Sequence, residues 1–144
     1  MFQFEKDKFS IIDGYVVDGR GLMPTSRKVD TTPIWEFEEQ EYENIQLFFK
    51  YFEDWFEPIN TFSSGIVSGS YIMKHQIEIF IDSMYPGRNS YVSNGATILE
   101  FTRRGFHIKP LSKNSLNAQF KIGKRSMKKV FAEINKLNKL KKQK

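Results

Sequence analysis

The chain has no cysteine, two histidines in 144 residues, and no apolar run near the roughly 20 residues a membrane-spanning helix needs. Without cysteine there is no disulfide scaffold, no thiolate zinc site and no cysteine nucleophile, and the composition fits a reducing, cytoplasmic setting. The N-terminus, Met1-Phe2-Gln3-Phe4-Glu5-Lys6, lacks the charged-then-apolar shape of a signal peptide. There is no Gly-x-Ser-x-Gly elbow. His75 and Glu78 are spaced to share a metal on one helix face, but no second pair of ligands accompanies them. The glycines of Asp18-Gly19-Arg20-Gly21 lack the third glycine or the Gly-Lys-Ser/Thr ending of a phosphate loop. Neither catalysis nor a cofactor is expected.

What the chain does have is core material and divided charge. Apolar residues make up 40% and aromatics 15%, with fourteen Phe, so a folded core is expected and wholesale disorder is excluded. Residues 1–60 carry thirteen carboxylates against six Lys/Arg, a balance of −7. Residues 61–144 carry sixteen Lys/Arg against Glu78, Asp82, Glu100 and Glu133, a balance of +12. Such a split concerns partners and steering, and the basic half points to a polyanion.

Short β-prone stretches, Phe9–Ile12 and Tyr15–Val17, flank Asp13-Gly14 and predict an N-terminal hairpin that Asp18–Gly21 ends; Pro24–Pro33 reads as a connector. From Glu39 to Phe56, Tyr42, Ile45, Phe48, Phe49, Phe52, Trp55 and Phe56 recur at helical spacing, and Pro58 stops the pattern. A Ser/Gly stretch at 63–69 is a natural hinge. It divides an acidic hairpin-plus-helix region (1–62) from a basic region (70–144), as two units or one continuous domain. Helices are predicted over about 70–84, capped by Ser68 or Ser70, and about 94–104, capped at Ser93-Asn94 and closed by Gly105. Phe106–Lys109 and Asn117–Ile122 alternate as a two-stranded ribbon, and Ser126–Leu140 forms an amphipathic last helix with a basic tail.

The expected fold is therefore α+β: an N-terminal β-hairpin and aromatic helix packed with a winged-helix-like unit of helix, helix, ribbon and helix. In that arrangement 94–104 takes the recognition-helix place and the ribbon that of the wing, although the 85–93 connector is long for a helix-turn-helix. The candidate nucleic-acid contacts are Lys74, Arg103, Arg104, Lys109, Lys113, Lys121, Lys124, Arg125, Lys128 and Lys129. Cationic groups gathered on one face displace counterions from a phosphate backbone. The acidic run Glu36, Glu38, Glu39, Glu41 and Glu43 reads either as a solvated helix start or as a surface for a basic partner.

Four stretches, Ser70-Tyr71-Ile72-Met73-Lys74-His75, Tyr91-Val92-Ser93-Asn94-Gly95-Ala96, Gly105-Phe106 and Asn117-Ala118-Gln119-Phe120, resemble a pattern in small accessory proteins of phages and integrative elements of Gram-positive bacteria. The likeness spans about residues 68–122 and implies mobile-element biology. Two function classes follow. The first is a non-catalytic accessory or regulatory protein that binds DNA or RNA. The alternative is an inhibitor of a host nucleic-acid defence enzyme, such as a CRISPR effector, acting through the acidic and aromatic N-terminal half in the manner of an anti-CRISPR protein. Neither involves a membrane.

Overall fold

The apolar periodicities translate into four helices around one aromatic core. A computed structural model describes residues 10–12, 15–18, 21–24, 39–60, 69–112 and 115–142. Strands β1 (Ser10–Ile12), β2 (Tyr15–Asp18) and β3 (Gly21–Pro24) precede α1 (Glu39–Phe52), α2 (Ser70–Met84) and α3 (Asn94–Arg103). Strands β4 (Ile108–Pro110) and β5 (Ala118–Phe120) and helix α4 (Lys124–Lys142) complete the chain. The architecture is α+β, as the pattern predicted.

The expected hairpin is extended to a three-stranded antiparallel sheet, β1-β2-β3, with Ser10 opposite Val17 and Val17 opposite Leu22. The third strand begins at Gly21, which composition marked as part of a terminating turn. Gly21 is buried with φ 128°, and a Cβ there would collide with the Leu116 carbonyl and the Asn94 side chain. Asn94 in turn donates to the Leu116 carbonyl (3.1 Å) and to Asn117 Oδ1 (3.0 Å). This close approach sets β3 beside the start of α3, and β2 and β3 both lie against that helix.

Helix α1 ends at Phe52, short of Pro58, and residues 53–55 turn out of it with Trp55 N–H bonded to the Phe52 carbonyl (3.0 Å). Its Phe48, Phe49 and Phe52 are buried and meet Phe80 of α2 and Phe101 of α3, with ring centroids 5.8 Å apart for Phe48–Phe80 and 4.8 Å for Phe49–Phe101. Phe101 also stacks on Phe120 of β5 at 4.6 Å. Burial of such rings is the main stabilising term, each worth about 3–5 kcal/mol if truncated to alanine. Helix α1 thus shares its core with α2, α3, the ribbon and α4. The hinge expected at 63–69 lies, apart from Gly69, outside the described residues.

Strand β5 is the inner strand of its ribbon. Ile108 pairs with Phe120 and Pro110 with Ala118 on one side, while on the other Gly69 bridges Gln119 and Ile59 N–H bonds the Lys121 carbonyl (3.3 Å). All three residues of β5 are buried. Gly69 is the N-cap of α2 and makes no side-chain cap bond; the Ser70 hydroxyl, expected as a cap, instead accepts Ala118 N–H (2.9 Å), tying α2 to β5. Ser93 does cap α3, its hydroxyl accepting Ala96 N–H (3.1 Å). At the other end Gly105 (φ 96°) closes a Schellman motif: Phe106 N–H reaches the Phe101 carbonyl, Gly105 N–H reaches Thr102, and Phe106 packs on Phe101.

The two glycines predict different costs. Gly105→Ala should lose about 1 kcal/mol in urea unfolding, because only backbone strain opposes a Cβ that meets nothing within 4 Å. Gly21→Ala adds a collision to the same strain and should lose about 3 kcal/mol. Equal losses would mean that β3 does not press on Asn94 and Leu116.

Candidate polyanion-binding surface

Residues Asn94 to Phe101 of α3 are all buried, including the polar Thr97 and Glu100. The helix placed by sequence in the recognition position therefore presents no base-reading face, because α1, α2, β2 and β3 enclose it. Its two terminal arginines follow it inward to different degrees. The Arg104 guanidinium lies 4.0 Å from the centre of the Phe49 ring, donates through Nε to Glu100 Oε1 (3.0 Å) and through Nη2 to Gln46 Oε1 (2.9 Å). Arg103 is exposed and acts on Tyr42, whose hydroxyl is pushed above its ordinary pKa by burial and then by Glu100, with Arg103 and Arg104 opposing.

Lys74 is also committed. Its ammonium bonds Glu78 Oε2 (3.1 Å) and sits 5.1 Å from the Tyr91 ring centre, with a side chain only 12% exposed. Lys109 is exposed on β4 and Lys121 half-buried just after β5, while Lys113 lies outside the described residues. The remaining four sequence candidates, Lys124, Arg125, Lys128 and Lys129, are exposed together on the first turns of α4. Lys136 and Lys139 continue that exposed face, and Lys141 is exposed at the end of the helix on the azimuth of Ile134. None of these seven cations forms an ion pair with another described residue.

Why they project follows from periodicity. Met127, Val130 and Ile134 face the core, so the cations between them occupy the outer arc of the helix. Glu133 is the one acid in the sequence of α4, and it is engaged by Tyr51 of α1, whose hydroxyl hydrogen-bonds it. Burial, the Glu133 charge and that bond, in this order, hold the Tyr51 hydroxyl above its ordinary value of 10.0. An open cleft of about 530 Å³ runs along the α1 flank of α4, where Asp54 and Glu57 stand beside Arg125 and Lys129. By helical position Lys124, Lys128 and Lys139 lie towards the α2 flank.

Two of the acidic residues, Glu41 and Glu43, are engaged by the connector. Glu36 and Glu38 lie outside the described residues, and Glu39 is exposed. Glu41 is 2% exposed and its Oε1 accepts Ser93 N–H (2.7 Å). Glu43 pairs with Arg88 (3.0 Å), and Arg88 Nε also donates to the buried Asn44 (2.6 Å). Asn44 Nδ2 donates to the Asn89 and Tyr91 carbonyls (2.9 and 3.2 Å). The long 85–93 connector thus crosses the start of α1 and is fastened there, so a free five-carboxylate patch does not exist. Among the described residues, no group of three His, Asp or Glu could hold a metal ion, and no helix is long and apolar enough to cross a membrane.

Because Tyr51 titrates above 10.0 in the folded protein, folding retains its proton in that window, and its contribution to stability is lost as pH rises through the folded value. Glu133→Gln removes the charge, so Tyr51 tyrosinate should form at lower pH in an ultraviolet absorbance titration. An unmoved titration would show that Glu133 is not held by Tyr51.

No family model matches this chain, and no curated protein or solved structure matches it closely enough to count as a relative.

Proposed function

We propose that the protein is a non-catalytic nucleic-acid-binding accessory or regulatory protein, and that α4 supplies its contact face. The observation that carries this reading is the set of seven exposed α4 cations with no ion-pair partner among the described residues, six of them on one outer arc, beside a single acid of that helix already engaged by Tyr51. A row of exposed cations attracts a polyanion, and phosphate contact releases condensed counterions in return. The helix, helix, ribbon, helix order is compatible with a winged-helix-like unit, in which Lys109 is exposed on the ribbon. Its working helix would be α4, since α3 is enclosed. The likeness of residues 68–122 to accessory proteins of phages and integrative elements supports a mobile-element setting.

The inhibitor reading draws less support. Of its five carboxylates, Glu41 is buried and Glu43 is paired with Arg88.

Charge reversal tests the reading without disturbing the core. The variant Lys124→Glu, Arg125→Glu, Lys128→Glu, Lys129→Glu alters only exposed side chains; Arg104 is left alone because its replacement would orphan the buried Glu100. In gel retardation and fluorescence anisotropy the variant should bind oligonucleotides at least about tenfold more weakly at low salt, with a log–log salt slope reduced by about 0.9 for each lost duplex phosphate contact. Absence of binding by the parent protein at low salt to both single and double strands would refute the proposal.

A further inference from the structure

Apolar positions of α2 point inward, and its outer face carries Tyr71 and His75 in the first turns and Asp82 towards the end. Tyr71 is 51% exposed, Tyr91 of the connector 45%, and the His75 side chain 48%. These rings are not scattered. The Tyr71 ring meets the His75 ring edge-on with centroids 4.5 Å apart. His75 Nδ1 lies 3.0 Å from Glu78 Oε1, and the other oxygen of the same carboxylate takes Lys74 Nζ at 3.1 Å. Lys74 lies against the Tyr91 ring. Glu78 Oε2 also accepts Val92 N–H (3.3 Å), which fastens the backbone beside Tyr91 to α2. One carboxylate therefore fixes two tyrosines and an imidazole, each about half exposed, in a connected group.

The group adjoins the basic helix. Gln76 and Ile79 of α2 lie beside Phe131 and Asn135 of α4, and Ser83 lies 3.5 Å from Asn138, so the two helices run side by side in the same direction. With about 100° per residue, Tyr71 and His75 on α2 and Lys124, Lys128 and Lys139 on α4 turn to the same outer side of this pair. Parallel packing also brings the first turns of both helices level, which sets Tyr71 at the height of Lys124 and Lys128, with Tyr91 beyond it across α2.

We propose that Tyr71, His75 and Tyr91 form a base-stacking platform for single-stranded nucleic acid, whose phosphates run along the α2 flank of α4. The inference rests on the reading of α4 as a nucleic-acid surface and adds the strandedness of the ligand. Duplex DNA hides its base faces, whereas an unpaired strand offers a π-face from every nucleotide, and tyrosines pinned by their neighbours lose little freedom on stacking. Lysine and arginine alone would not discriminate between the two forms.

The test compares a labelled oligothymidylate with a duplex of equal length, by fluorescence anisotropy at fixed low salt. The parent should prefer the single strand. Tyr71→Ala with Tyr91→Ala should weaken single-strand binding by about tenfold per lost stack, leave duplex binding unchanged, and keep the salt slope of the parent. Tyr71→Phe with Tyr91→Phe should retain single-strand affinity, because the ring and not the hydroxyl does the stacking. Thermal unfolding of both variants checks that the fold persists. Equal parent affinity for the two oligonucleotides, or alanine variants that bind the single strand as well as the parent does, would overturn the platform and leave the α4 surface standing. Equal losses on both oligonucleotides would overturn it too. A parent that binds neither would remove the functional reading itself.

Discussion

Eight consecutive residues of α3, Asn94 to Phe101, are enclosed by α1, α2 and the N-terminal sheet, and the disposition of charge over the molecule depends on that enclosure. A helix buried on every side must satisfy its polar groups internally. Ser93 caps it, Thr97 bonds back to the Ser93 carbonyl (2.9 Å), and Glu100 takes Arg104. Asn94 reaches the 116–117 segment and is pressed from the other side by Gly21. Each of these bonds draws a polar residue away from the surface. Among the described residues, most of the basic side chains left to face solvent lie on α4, which borders the core on one side.

The cations accordingly fall into two groups. Lys74, Arg88 and Arg104 hold the fold together: each spans elements distant in sequence and each has a carboxylate within 3.1 Å. Such half-buried, hydrogen-bonded pairs matter more than exposed ones, because removing one partner strands the other. The cations of α4 have no such duty. Six of them, Lys124, Arg125, Lys128, Lys129, Lys136 and Lys139, share the outer arc, where mutual repulsion is tolerable in salt and is relieved by a polyanion. A total charge of +5 conceals this difference, and of the acids in the first sixty residues Glu41 and Glu43 are committed to the connector.

Much of the fold was legible because local rules and tertiary packing agreed. Phe48, Phe49 and Phe52, Ile77, Phe80 and Ile81, and Val130 and Ile134 sit at helical spacing and are buried as that spacing implies. Ser93 and Gly105 announced the two ends of α3 by their own backbone chemistry. The third strand of the N-terminal sheet was not legible: Gly21 and Pro24 bound it, both read as breakers, and the reason for glycine there is a contact with residues 94 and 116. For the site, the α4 cations were visible from amphipathic periodicity. The burial of Glu41 and the docking of Arg104 on Phe49 were not, because the partners lie 52 and 55 positions away and a charged side chain shows no local mark of being enclosed. The outward face of Tyr71 and His75 was implicit in the same periodicity that buried Met73 and Ile77, but tyrosine is at home in a core, so its exposure needed the packed neighbours to be seen.

The account divides the basic residues into those that build the molecule and those that meet a ligand, and backbone amide shifts during an NMR titration with a single-stranded oligonucleotide read that division residue by residue. The largest shifts should fall on Lys124–Lys139 and around Tyr71, His75 and Tyr91, with Asn94–Phe101 and the Glu41–Asn44 stretch nearly unmoved. Shifts centred on α3 or on the start of α1, with α4 silent, would contradict it.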